Sequence, residues 1–276
     1  MRVSHFTIAL ALLCLAGRAA AQTADQVADL GAAARERREP RVALDHFRAA
    51  LAMDSMHYAA NWQAALSLID LGQEIPDAVR SASRDSLYAL AEVYARRAVA
   101  ARPDSADGHF ALANAMGRTA LTRSKKERIR LAAEIRSEAP QAIELNPRHD
   151  GAYHILGRWH AEIMRLSSLQ KFLARTFLGA RIFREASWNG AMANLEKAVE
   201  IDPGRIFHRL DLAEVYLDRG RRDDAVFQLE QVLSLPPGDY GDEVHQRRAA
   251  KLLERYSPSA SRSRTESTPS SSRSRS

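Results

Sequence analysis

Residues 206–239 form an unbroken 34-residue unit, and it restricts the fold more than any other stretch of the chain. It reads as two amphipathic helices joined at Gly220 and stopped by Pro236 and Pro237. A glycine that can take positive φ ends a helix, and a proline cannot continue one. Ala213 and Ala225 fall where the two helices cross. A larger side chain there would force the axes beyond the usual separation of roughly 8–10 Å. Leu212, Tyr216 and Leu229 fill the space beside the crossing. One such pair leaves its apolar face in water, so the chain must hold further pairs stacked against it.

The spacing resembles the tetratricopeptide (TPR) repeat. Leu212-Ala213 takes the Leu-Gly position, Tyr216 the aromatic position and Gly220 the turn; Ala225 and Leu229 form the A-x3-F pair, and Pro237 closes the unit. Composition agrees: 46% of residues are apolar, with only 13 Gly and 10 Pro in 276, which favours a mostly helical chain.

Residues 24–56 repeat the pattern, with Leu30-Gly31, Ala43, Phe47, Ala50 and a turn at Asp54-Ser55. Residues 58–72 supply a next first helix containing Trp62, Ala65 and Leu68; after a polar loop at 73–82, its partner runs from about Ser83 to Pro103. Residues 107–116 and 125–145 make a third pair, ending at Pro147. Pro140 lies inside that second helix and predicts a kink or a break, since a proline in a helix interior costs about 3 kcal/mol. Residues 153–163, with Leu156-Gly157, pair with 187–201 across an insertion, and 242–256 read as a polar capping helix. The stops at Ser55, Pro103, Pro147, Pro203 and Pro237 are separated by 48, 44, 56 and 34 residues, so the units are unequal and three carry insertions. The expected architecture is all-α: a TPR-type solenoid of about five helix-turn-helix units plus a cap, over residues 22–256.

Residues 1–21 carry Arg2, an apolar run from Phe6 to Ala16, and Ala19-Ala20-Ala21 before Gln22. This is the pattern of a secretory signal peptide, and it predicts an exported chain, periplasmic or secreted, that begins at Gln22. A membrane anchor would need about 20 apolar residues, more than this run offers. Cys14, the only cysteine, lies within that run and not at a lipoprotein site. The exported chain would then have neither a disulfide nor a thiol nucleophile. Residues 257–276 are half serine with interspersed arginine and are read as a disordered tail, because they offer nothing to bury against the entropy of ordering. The formal charge of +6 is mostly terminal: residues 1–21 carry +2 and residues 257–276 carry +3, leaving +1 for the body. A nucleic-acid partner would need a basic face on the folded part, so none is expected.

A narrower resemblance is carried by 151–163 (GAYHILGRWHAEI), 166–179 (LSSLQKFLARTFLG), 186–188 (ASW), 194–203 (NLEKAVEIDP), 208–220 (HRLDLAEVYLDRG) and 235–243 (LPPGDYGDE). Together these are similar to the regulator of microtubule dynamics family of TPR proteins, over roughly residues 91–254. The resemblance implies an all-helical interaction domain without catalysis, associated in animal members with microtubules and organelle membranes. The export signal departs from that picture and points to a bacterial periplasm, so microtubule binding is not carried over.

In a TPR array the concave face is built by fixed positions of each first helix. In this register they are Trp62, Leu66, Ile69 and Asp70; Phe110, Asn114 and Arg118; His154, Arg158 and Glu162; and Leu210, Glu214, Leu217 and Asp218. His154, Arg158 and Glu162 share one helix face. They make either an i,i+4 ion pair between Arg158 and Glu162, or a cationic site in which Arg158 and Arg118 hold a partner's carboxylate beside Trp62 and Phe110 as apolar anchors. His154 and His160 lie about 120° apart around a helix and cannot chelate one ion by themselves, so no metal is expected. Trp159 and Trp188 read as packing residues.

The insertion at 166–184 sets Leu166, Leu169, Leu173 and Phe177 at helical spacing with Lys171 and Arg175 among them, followed by Arg181 and Arg184. It is either a helix packed over the solenoid or a basic amphipathic helix that lies on an anionic membrane. No Gly-rich phosphate loop, G-x-S-x-G, H-E-x-x-H or cofactor fingerprint is present, so neither an enzyme nor a cofactor is expected. The function read from the sequence is a non-enzymatic scaffold whose groove takes a segment of a partner protein; the alternative is a lipid-binding or membrane-surface protein.

Overall fold

The computed structural model describes residues 22–76, 79–167 and 184–257. The signal-peptide and tail assignments, and most of the 166–184 insertion including Leu169, Lys171, Leu173, Arg175 and Phe177, lie outside the described residues.

Eleven α-helices and no strands occur among the described residues. In chain order they are α1 (Ala24–Glu36), α2 (Pro40–Met53), α3 (Tyr58–Gln73), α4 (Ala82–Ala101), α5 (Ala106–Thr122), α6 (Lys125–Leu145), α7 (Asp150–Arg165), α8 (Trp188–Ile201), α9 (Ile206–Asp218), α10 (Arg222–Ser234) and α11 (Asp242–Tyr256). Their starts follow from side chains that satisfy the free amides of a first turn. Thr23 and Gln26 form a reciprocal capping box on α1, and Ser81, Ser124 and Ser187 cap α4, α6 and α8. Pro40 sits at the first position of α2, where its missing N–H costs nothing. Pro103, Pro147 and Pro203 each follow two residues after an even-numbered helix ends.

The helices pair as five hairpins, α1–α2 through α9–α10, with α11 packed on the last. Successive odd-numbered helices also pack on one another, from α1 through α11, and so form one continuous layer. The even-numbered helices form the other. Between the layers runs a core made largely of buried alanines alternating with Leu44, Phe47, Leu68, Met116, Leu131, Leu195 and Leu229. The alanines let the axes approach, and Gly157 lets α7 and α8 approach further. A methyl group on Gly157 would lie 2.7 Å from Leu195 Cγ and 3.1 Å from the Leu195 nitrogen.

The helix α6 runs unbroken through Pro140, so the break allowed by the sequence does not occur. Ala139 and Ala142 on either side of it are fully buried, and their packing holds the last turns in place.

The array also returns upon itself. Arg38, in the α1–α2 turn, donates through Nη1 to the Pro237 carbonyl at 3.2 Å, and the Tyr240 hydroxyl donates to Glu74 Oε1 at 2.6 Å. The loop between α10 and α11 thus touches the first two hairpins, and the solenoid closes into a ring-like turn.

Candidate binding groove

Polar pairs stitch the odd-numbered helices together along their N-terminal edge. His57 uses both ring nitrogens: Nδ1 accepts from the Ala60 amide to cap α3, and Nε2 donates to Asp25 on α1 at 2.8 Å. His149 does the same for α7, capping through Ala152 and facing Asp107 on α5 at 3.4 Å. Between them, the Tyr58 hydroxyl meets Ser105 Oγ at 2.6 Å and accepts from the Gly108 amide. His208 on α9, fully buried, donates to Asp150 on α7 at 2.8 Å. The carboxylates Asp25, Asp107 and Asp150 all lie in the first turn of their helices, where the helix dipole favours them. Burial works against ionisation of Asp150, but the His208 hydrogen bond and the Arg205 charge outweigh it and hold its pKa down at about 2.

Deeper in the layer, α7, α9 and α11 carry a ladder of charges. Asp211, buried on α9, accepts from His154 Nε2 at 2.7 Å and from Arg158 Nη1 at 2.8 Å. Arg158 also lies 3.5 Å from Glu162. Arg165 joins Glu162 to Asp218, at 2.7 Å from each, and Arg248 on α11 meets Glu214 at 2.6 Å. Burial opposes the charge of Asp211, yet Arg158 and His154 hold its pKa well below the usual carboxylate range. Burial pushes His154 down to about 4 against the pull of Asp211. Burial, reinforced by Asp211, raises Glu214.

At the other end of the layer, Arg35 on α1 lies 3.6 Å from Asp70 on α3, and Arg118 on α5 donates to Gln73 at 2.6 Å. Burial raises the Asp70 carboxyl in spite of Arg35, and Asp239, from the loop before α11, adds to the rise.

Most of the residues assigned to the concave face are partly open. Trp62, Asp70, Phe110, Asn114, Arg118, Arg158 and Glu214 are half-buried, while Glu162 and Asp218 are exposed. His154, Ile69 and Leu210 are buried and present little surface. Phe110 is committed in part to structure, since its ring stacks on His149 at 4.6 Å. The ion pair between Arg158 and Glu162 is present, but Asp211 is the closer partner of Arg158 and was not among the residues assigned from sequence. His160 accepts from the Ser187 amide, and Trp159 donates to the Ala132 carbonyl at 2.8 Å. Trp188 packs at the edge of the core beneath Arg219.

The odd-numbered layer therefore presents a surface of alternating, mutually paired charges with aromatic edges among them. Among the described residues no cluster of three or more His, Cys, Asp or Glu could hold a metal. Such a surface suits recognition of another chain.

Comparison with known proteins gives the same direction. The family model described as Regulator of microtubule dynamics protein 1-3 matches residues 21–257. Regulator of microtubule dynamics protein 1 of Bos taurus is 26% identical over 165 residues, 59% of this chain and 51% of the relative. Regulator of microtubule dynamics protein 3 of Rattus norvegicus is 25% identical over 193 residues, 69% of this chain and 40% of the relative. The chain thus spans about half the length, or less, of these curated relatives. Among solved structures, a thermophilic TPR protein of Thermus thermophilus superimposes with a TM-score of 0.60 at 22% identity, over 83% of this chain and all of that one. At that identity the likeness establishes the TPR fold.

Proposed function

Because this chain belongs to the Regulator of microtubule dynamics protein 1-3 family, we propose that it works as a non-enzymatic interaction module whose odd-numbered helices take an extended or helical segment of a partner protein. The observation that carries this reading is the charge ladder Arg158–Glu162–Arg165–Asp218, which runs along the layer with Glu162, Arg165 and Asp218 exposed. A partner with alternating charges can exchange these pairs for its own at small net cost, because exposed ion pairs are worth little individually. Specificity would then come from register, and contact area from the half-buried Trp62, Asn114 and Arg118.

The name of the relatives attaches microtubule dynamics to those proteins. We propose a different setting for this chain: export, with the mature protein starting at Gln22. The composition of residues 1–21 supports it. N-terminal sequencing of the protein from its native cell tests that assignment.

The experiment for the groove is site-specific photo-crosslinking from Asn114, on the odd-numbered layer, and from Arg97, on the outer helix α4, in the native compartment. Discrete protein adducts from position 114 and none from 97 support the reading. Adducts only from 97, or native mass spectra of the purified protein carrying stoichiometric lipid and no protein, overturn it.

A further inference from the structure

The turn of the first hairpin has a conformation its sequence does not favour. In the fifth hairpin, the residue after the helix C-cap is Gly220, at φ +71°. The equivalent residue of the first hairpin is Arg38, at φ +62°. Glycine takes this left-handed region freely, and an L side chain does so at a cost. A non-glycine residue kept there calls for a compensating role of its side chain. The guanidinium of Arg38 is the group that reaches the Pro237 carbonyl.

The other side of that contact is built to be stiff. Pro236 and Pro237 fix φ, Gly241 turns the chain at φ +91°, and buried Asp242 accepts from the Gly238 and Asp239 amides at 2.9 and 2.7 Å. Tyr240 projects from this frame to Glu74, whose hydrogen bond pushes the phenol up to about 12. Asp239 reaches Arg205 at 3.4 Å. A pre-ordered loop thus rests on the turns of the first two hairpins, where Arg38 offers a donor and Glu74, at the end of α3, an acceptor.

We infer that residues 235–241 are a built-in occupant of a docking seat on the turns beside the N-terminal end of the groove, and that a partner gains this seat by displacing them with a rigid, proline-containing turn that presents a carbonyl to Arg38 and a tyrosine hydroxyl to Glu74. The inference rests on the groove reading and deepens it by naming where the partner docks and with what chemistry. The seat is reversible by construction, because its hydrogen bonds are few and exposed.

The test uses the full chain with Cys14→Ser and spin labels on Glu36→Cys and Glu243→Cys, both exposed positions flanking the contact. Double electron–electron resonance should give one short distance population. In Tyr240→Phe a longer population should appear, with the open fraction increased about five-fold, as expected for losing one hydrogen bond on the loop side. A synthetic peptide of residues 234–243 should bind Tyr240→Phe about five-fold more tightly than the parent, because its seat is partly vacated in cis while Arg38 and Glu74 remain, and adding Arg38→Ala and Glu74→Ala should remove that binding. Tyr240→Phe deletes one oxygen atom and should leave helical circular dichroism unchanged; Tyr240→Ala repeats the test with the whole ring removed. An unchanged distance distribution overturns the inference. A widened distribution without peptide binding does so too, since the loop would then be a brace and not an occupant. Neither result bears on crosslinking from Asn114, so the groove reading stands or falls separately.

Discussion

Asp211 on α9 lies 2.8 Å from the guanidinium of Arg158 on α7, and this contact ties the fourth hairpin to the fifth from within the odd-numbered layer. The same carboxylate oxygen accepts from His154, so one buried acid holds two donors of a neighbouring helix. Replacing Asp211 by Ala leaves both donors without that acceptor. Arg158 is about one-third exposed and retains Glu162, which limits the loss to about 2–3 kcal/mol. Urea unfolding should show it as a lower midpoint at constant slope, and in Arg158→Ala the cost of Asp211→Ala should shrink. Additive losses would mean that the pair is not coupled.

Acid should weaken the fold well above the range in which carboxylates titrate. Burial lowers His154 to about 4 from an ordinary 6.5, so between those pH values the unfolded chain binds the extra proton and the folded chain does not. Stability therefore falls as pH falls from about 6.5 to 4, by roughly 3 kcal/mol for this residue. Asp150, held at about 2, has the same sign, but its loss comes below its ordinary 3.8. Thermal melts of His154→Gln should show a flatter profile between pH 4 and 6.5, and a parallel profile would count against the assignment.

Two glycines within helices should respond in opposite ways to alanine. Gly157→Ala drives a methyl group into Leu195 and the α8 backbone and should destabilise by about 1–3 kcal/mol. Gly117, in the middle of α5, has nothing within 4 Å of the added carbon, so Gly117→Ala should stabilise by about 0.5–1 kcal/mol through helix propensity. Chemical denaturation of the two variants side by side checks both signs.

Pro140→Ala should restore an intrahelical donor in α6 and stabilise the third hairpin by up to about 3 kcal/mol. A neutral or destabilising result in the same assay would show that the surrounding packing requires the proline.

Reversing exposed members of the ladder separates recognition from stability. Glu162→Lys and Asp218→Lys should each change the melting temperature little, since exposed pairs contribute about 0–1 kcal/mol. Each should reduce crosslinking of the partner from Asn114 several-fold. Undiminished adduct yield in both variants would remove the ladder from the binding surface.

The repeat frame was visible in the sequence because it is local. Leu30-Gly31, Leu156-Gly157 and Leu212-Ala213 mark close crossings within single hairpins, and Pro103, Pro147 and Pro203 mark helix ends without reference to the rest of the chain. The cap helix at 242–256 followed from the same periodicity. Asp211 was missed because its partner lies 53 residues away and because it faces α7 sideways, one residue along from Leu210, which was assigned to the groove. The His–Asp pairs along the N-terminal edge have a faint signal, namely histidine just before an odd-numbered helix and aspartate within the first turn of the preceding one. The return of the loop at 235–241 to Arg38 and Glu74 depends on rotation accumulated over five unequal hairpins, which no single segment encodes.

That return also orders events in time. Each hairpin joins helices separated by no more than 22 residues, whereas the two contacts of the returning loop join residues 166 and 199 positions apart. Closing the longer loop costs more chain entropy and yields only exposed hydrogen bonds, so it gains nothing until the five hairpins have stacked. Ring closure is therefore the final event of folding. A chain that emerges N-terminus first presents α1 to α3 before residues 235–241 arrive, and during that interval Arg38 and Glu74 lack the contacts that the loop gives them in the finished protein.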